Sequence, residues 1–151
     1  LPDISNNPLW QTIQFPTVKK LDWKTQFIQP NVLHMFPSVQ VLEIHGATKI
    51  EVGEQWKSIE YLNIVRSDNL EHIDLKSFPN LKVLHVNKTA NLKTMTNWKH
   101  LKSIQKVFVN TPHIDDLEFL QKFPTLIFYK CNKISWKRPE EPDANDEPKE
   151  V

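Results

Sequence analysis

A chain of 151 residues that is 39% hydrophobic and 25% charged is long enough for one domain with its own buried core. No apolar run approaches the ~18 residues of a membrane-spanning helix, and the single Cys131 excludes an internal disulfide. With only two glycines, glycine-rich phosphate loops are not expected, and the formal charge of +1 hides an uneven split: residues 139–151 carry −5 and the rest +6.

The chain opens on Leu1-Pro2-Asp3-Ile4, with neither an initiator Met nor a signal-peptide pattern, and so reads as a trimmed or processed piece. Residues 1–14 contain Ile4, Leu9, Trp10 and Ile13, an apolar set suited to capping whatever follows. From residue 15 the sequence repeats itself. Phe15-Pro16-Thr17-Val18, Phe36-Pro37-Ser38-Val39, Phe78-Pro79-Asn80-Leu81 and Phe123-Pro124-Thr125-Leu126 are four copies of one phrase. Trp56-Lys57-Ser58-Ile59 and Leu101-Lys102-Ser103-Ile104 fill the gaps, so repeats start at 15, 36, 56, 78, 101 and 123.

Each phrase leads into apolar-x-x-apolar-x-apolar. The copies are Val18, Leu21, Trp23; Val39, Leu42, Ile44; Ile59, Leu62, Ile64; Leu81, Leu84, Val86; Ile104, Val107, Val109; and Leu126, Tyr129, Cys131. The last two members alternate with their neighbours, which predicts a short strand. A coil of this length cannot bury its own apolar side chains, whereas stacked coils share one interior. Proline blocks helix continuation just ahead of the strand. Residues 113–122 place Ile114, Leu117 and Leu120 on one face and predict a helical return.

On these residues the stretch 15–136 resembles the leucine-rich-repeat family in its irregular form. It is similar to the loose repeats of intracellular plant immune receptors and F-box substrate adaptors. The resemblance implies an α/β solenoid, a horseshoe arc of about six coils with a parallel sheet on the concave side and helical or irregular returns on the convex side. The family's usual Asn after the strand is absent at Gln26, Ala47, Ser67, Thr89 and Pro112, so no regular asparagine ladder is expected. Missing cysteine-clustered caps imply an intracellular protein, cytoplasmic or nuclear.

Residues between the core positions of a strand point to the opposite face. The expected wall therefore displays Asp22, Val41, Glu43, His45, Tyr61, Asn63, Val65, Val83, His85, Lys106, Phe108, Phe128 and Lys130. Its middle column runs from acidic in the first coils to cationic in the last, which would orient a partner. Aromatic and aliphatic groups ringed by charges predict a protein-binding surface, and six strands at ~4.8 Å make a wall about 24 Å wide. A protein partner is the expectation. The alternative is a nucleic-acid-associated subunit using Lys19, Lys20 and the lysines between 93 and 106, although arginine is confined to Arg66 and Arg138.

Other signals carry less. His45 and His85 fall two strands apart, too far to share a metal. Glu71, His72 and Asp74, like His113, Asp115 and Asp116, sit on returns where charge is normally just solvated. Cys131 occupies a core position and reads as a small hydrophobe. No catalytic or nucleotide-binding motif is present, so neither enzyme activity, nor a cofactor, nor a metal is expected. Asn87-Lys88-Thr89 is a glycosylation sequon lying on the expected wall. Residues 134–136 would close the last coil, and residues 137–151, acidic and proline-bearing, form a tail without a core of its own.

Overall fold

The computed structural model of the chain describes residues 12–28, 33–50 and 56–111, together with the strand at 126–128. The repeated phrase folds as a β-turn. In four copies the amide three residues on donates to the plug residue's carbonyl: Val18 to Phe15 (3.3 Å), Val39 to Phe36 (3.2 Å), Ile59 to Trp56 (3.3 Å) and Leu81 to Phe78 (3.1 Å). Proline in the second place presets φ for this turn, which explains Phe-Pro in three of these copies. The plug then stacks on neighbouring coils. Phe15 lies on Phe36 with ring centroids 5.4 Å apart, and Trp56 meets Phe78 edge-on at 5.0 Å.

Each turn delivers the chain into a strand. Numbered along the chain, the strands are β1 (Lys20–Lys24), β2 (Phe27–Ile28), β3 (Val41–His45), β4 (Lys49–Ile50), β5 (Tyr61–Val65), β6 (His72–Asp74), β7 (Val83–Asn87), β8 (Thr94–Thr96), β9 (Lys106–Asn110) and β10 (Leu126–Phe128). The main sheet has six parallel strands in the order β1-β3-β5-β7-β9-β10, and the return strands pair as β2-β4 and β6-β8. The molecule is a parallel β-solenoid, and its described residues close about four turns.

Register is one-to-one. Leu21, Leu42, Leu62, Leu84 and Val107 align in one column, and Trp23, Ile44, Ile64, Val86 and Val109 in another. Leu42, Ile44, Leu62, Ile64, Leu84 and Val86 are all 0% exposed, and the returns meet them with Leu70, Ile73, Leu75 and Leu92. Phe78 sits wholly inside the same core. Side-chain burial of this kind contributes about 1.5–3 kcal/mol per residue. The half-exposed Lys82–Glu60 ion pair between coils, at 2.8 Å, adds less than about 1 kcal/mol. Apolar stacking dominates.

The strands end at a repeated corner. Gly46, Arg66 and Lys88 follow β3, β5 and β7 with φ of 72°, 49° and 55°. That left-handed step keeps each N–H on the next coil, to Val65 O (3.3 Å), Asn87 O (3.0 Å) and Asn110 O (3.1 Å). In the returns, Asp74 accepts from the Lys76 amide at 2.9 Å and from Asn97 Nδ2 at 2.7 Å, fastening two successive coils.

Two expectations change. The α/β class with helical returns gives way to a mostly-sheet solenoid. The described returns are the short strands β2, β4, β6 and β8 and the 3₁₀ turns Leu75–Ser77 and Trp98–His100, with almost no α-helix. The physical reason is brevity: with about 22 residues per coil, a turn and a five-residue strand leave too little chain for a stable helix. The helix expected at 113–122, the cap residues 1–11, the closing residues 134–136 and the tail at 137–151 lie outside the described residues.

The second change is the register of β10. Leu126, Ile127 and Phe128 pair with Val107, Phe108 and Val109, whereas the repeat spacing put Tyr129 opposite Val107. A shift of three is odd and exchanges the two faces. Tyr129 and Cys131 lie outside the described residues.

The corner is testable by stability. A Cβ on Gly46 would meet nothing within 4 Å, so Gly46→Ala carries only the left-handed penalty and lowers stability by about 1 kcal/mol. Lys88→Gly relieves the same strain and raises stability by up to ~1 kcal/mol in urea titrations.

Candidate functional site

Because the core columns take every second residue of the strands, the intervening residues form three columns on the sheet's other face. They read Lys20, Val41, Tyr61, Val83, Lys106; then Asp22, Glu43, Asn63, His85, Phe108; then Lys24, His45, Val65, Asn87, Asn110. Eleven of the expected wall residues thus lie together on one surface: Asp22, Val41, Glu43, His45, Tyr61, Asn63, Val65, Val83, His85, Lys106 and Phe108. Asp22 and Lys106 are exposed and the other nine half-buried, each shielded by its neighbours along the column. The backbone of Phe128 pairs with Val109, whereas the repeat spacing set it level with Lys106. Lys130 lies outside the described residues.

The centre of this wall is apolar. Val41, Tyr61 and Val83 adjoin one another in the first column, with Val65 two columns across from Tyr61. The His85 ring meets Phe108 edge-on, with centroids 5.5 Å apart. Lys20 and Lys106 close the two ends of the Val-Tyr-Val row.

The acidic end is partnered from within. His45 Nε2 lies 3.1 Å from Glu43 Oε1 and 3.5 Å from Asp22 Oδ1, and Lys20 Nζ is 3.8 Å from Glu43 Oε2. The acidic start of the middle column thus has partners in the columns on either side of it. At the other end Asn110 Nδ2 donates to Asn87 Oδ1 at 2.9 Å. Asn63 Oδ1, in the middle of the wall, is buried and makes no hydrogen bond.

Groups set aside in the sequence have partners within the solenoid where they are described. His72 Nδ1 lies 2.7 Å from Thr94 Oγ1, Glu71 pairs with Lys93 at 3.2 Å, and Asp74 fastens the 3₁₀ turn. His45 and His85 are separated by β5. Among the described residues no three His, Cys, Asp or Glu side chains are placed to hold a metal ion. Within the sequon, Asn87 accepts from Asn110 and Thr89 is wholly buried. His113, Asp115, Asp116 and Cys131 lie outside the described residues. No helix among the described residues is long and apolar enough to cross a membrane.

Sequence reasoning missed what stiffens the wall from behind. Ala47, Ser67, Thr89 and Thr111 are each 0% exposed just past the strands. Ser67 Oγ accepts the Ala47 amide at 3.0 Å, and Thr111 Oγ1 donates to Thr89 O at 2.8 Å. The signal was present as a recurrence of small side chains at these places. Comparison with protein-family models, curated proteins and solved structures finds no match, so the leucine-rich-repeat resemblance rests on the repeat pattern alone.

Adjacent residues on opposite faces give a sharp stability contrast. Leu62→Ala removes a side chain with 0% exposure and costs ~2–5 kcal/mol. Tyr61→Ala, from the half-buried wall, costs about 1 kcal/mol or less in the same denaturation assay.

Proposed function

We propose that this chain is a leucine-rich-repeat interaction module, a recognition scaffold or adaptor subunit, holding a protein partner against the concave face of its sheet. The observation that carries this reading is the gathering of Val41, Tyr61, Val65, Val83 and Phe108 on the solvent side of one rigid sheet. A monomer has no use for such a row, whereas an interface wants a partly apolar centre with a polar rim. Lys20, Lys24, Asp22 and Lys106 supply that rim. The recurring apolar-x-x-apolar-x-apolar pattern and the parallel coil of 20–23 residues support the family reading. A lone cysteine supports an intracellular setting.

The nucleic-acid alternative is weaker on this surface. Tracking phosphates takes a continuous row of cations. Here Lys20 and Lys106 stand at opposite edges, with Lys20 beside Glu43, while Lys82 and Lys93 are paired with Glu60 and Glu71.

Capture from source lysate should separate the faces. The double variant Tyr61→Ala, Phe108→Ala is expected to weaken retention of the bound protein by about 2 kcal/mol, a factor of roughly thirty. Asn91→Ala on an exposed return should leave it unchanged. Equal retention by the wall variant, or nuclease-sensitive retention, contradicts the proposal.

A further inference from the structure

We propose a second binding site, at the turn edge of the sheet, for a carboxylate-rich peptide, with the acidic segment 139–151 of this same chain as its occupant. Just ahead of the strands an open groove of about 490 Å3 crosses the coils, lined by Lys19, Lys57, Lys82, Ser38, Ser58 and Ser103 with Glu60 as its one carboxylate. The third place of the repeated turn is a hydroxyl or an amide in every copy: Thr17, Ser38, Ser58, Asn80, Ser103 and Thr125. Periodic turns thus line up polar groups along one edge.

These groups are largely unspent. Lys82 is held by Glu60, and Asn80 Nδ2 donates to Lys57 O at 2.8 Å. Among the described residues the hydroxyls of Ser38, Ser58 and Ser103 make no hydrogen bond, and the ammonium groups of Lys19 and Lys57 have no carboxylate partner. Donors and a net positive charge that Glu60 alone does not neutralise select an anion. The lining holds no aromatic ring and no arginine, so it offers nothing for a base to stack on, which favours carboxylates over a nucleic acid.

The chain carries a matching sequence. Residues 139–151 hold Glu140, Glu141, Asp143, Asp146, Glu147 and Glu150 against Lys149. Pro139 and Pro142 favour an extended polyproline-type backbone rising about 3.1 Å per residue. Glu140, Asp143 and Asp146 then recur every ~9 Å along the segment. Lys19, just ahead of β1, and Lys57, in the turn ahead of β5, both line the groove from alternate coils. The linker from Phe128 to Pro139 reaches up to ~36 Å, more than the ~24 Å breadth of six strands. Tethering at that length gives an effective concentration on the order of millimolar. Groove and wall are separate surfaces, so this site does not depend on the wall's partner.

The test uses the full chain. Zero-length carbodiimide coupling, mapped by mass spectrometry, should join the acids of 140–150 to Lys19 and Lys57 several-fold more than to Lys76 and Lys99, within one molecule in mixtures of isotopically light and heavy chains. Coupling should vanish at about 0.5 M salt, where screening is nearly complete. In NMR spectra, Lys19→Glu with Lys57→Glu should move the amides of residues 140–150 towards random-coil positions, while Lys76→Glu with Lys99→Glu leaves them in place. Uniform coupling to all exposed lysines, coupling only between molecules, or no amide shift in the groove variant overturns the proposal, as would an RNA oligonucleotide that displaces the segment at equimolar amounts.

Discussion

A coil of 20–23 residues has no interior of its own, and the whole architecture follows from how that deficit is met. Leu42, Leu62 and Leu84 lie side by side in successive strands, and each closes a surface that its neighbour leaves open. The parallel ladder fixes the register, and the fixed register decides which side chains meet. One slip by a single residue would turn Leu62 outward and Tyr61 inward. Stacking therefore selects the fold and composes the outer wall in the same act. The wall is the complement of the core.

Holding that register falls to the ends of each strand. On entry, a β-turn with its plug residue sets the depth at which the chain begins, and proline narrows the choices available to the unfolded chain as well. On exit, the left-handed residues Gly46, Arg66 and Lys88 redirect the backbone while their amides stay bonded to the following coil. Two of those three residues carry a Cβ and so sit in a costly conformation. Their strain is tolerated because the adjoining columns of fully buried leucine, isoleucine and valine outweigh it.

How much of this could be read from the sequence depended on which interactions repeat. The four Phe-Pro phrases and the alternation of Leu62 and Ile64 with Tyr61 and Asn63 are periodic, and the period alone located five strands and the residues sharing a face. The returns carry no such pattern. Their short strands arise because β4, β6 and β8 are drawn alongside their neighbours by the stacking itself, a tertiary effect that local spacing cannot display. The register of β10 was hidden for a related reason: Leu126-Ile127-Phe128 satisfies strand periodicity in either of two registers, and pairing with β9 chooses between them. The contacts of Glu43 with Lys20 and of Asp22 with His45 were equally hidden, since each takes a side chain from the neighbouring strand.

Methyl-resolved NMR addresses the stacked core most directly. Selective labelling of Leu42, Leu62 and Leu84 should give strong cross-relaxation between consecutive members of that column, with their methyls shielded from solvent relaxation agents. Leucine methyls that relax as if in water, or that contact Val41 and Val83 in place of one another, would contradict an interior shared by successive coils.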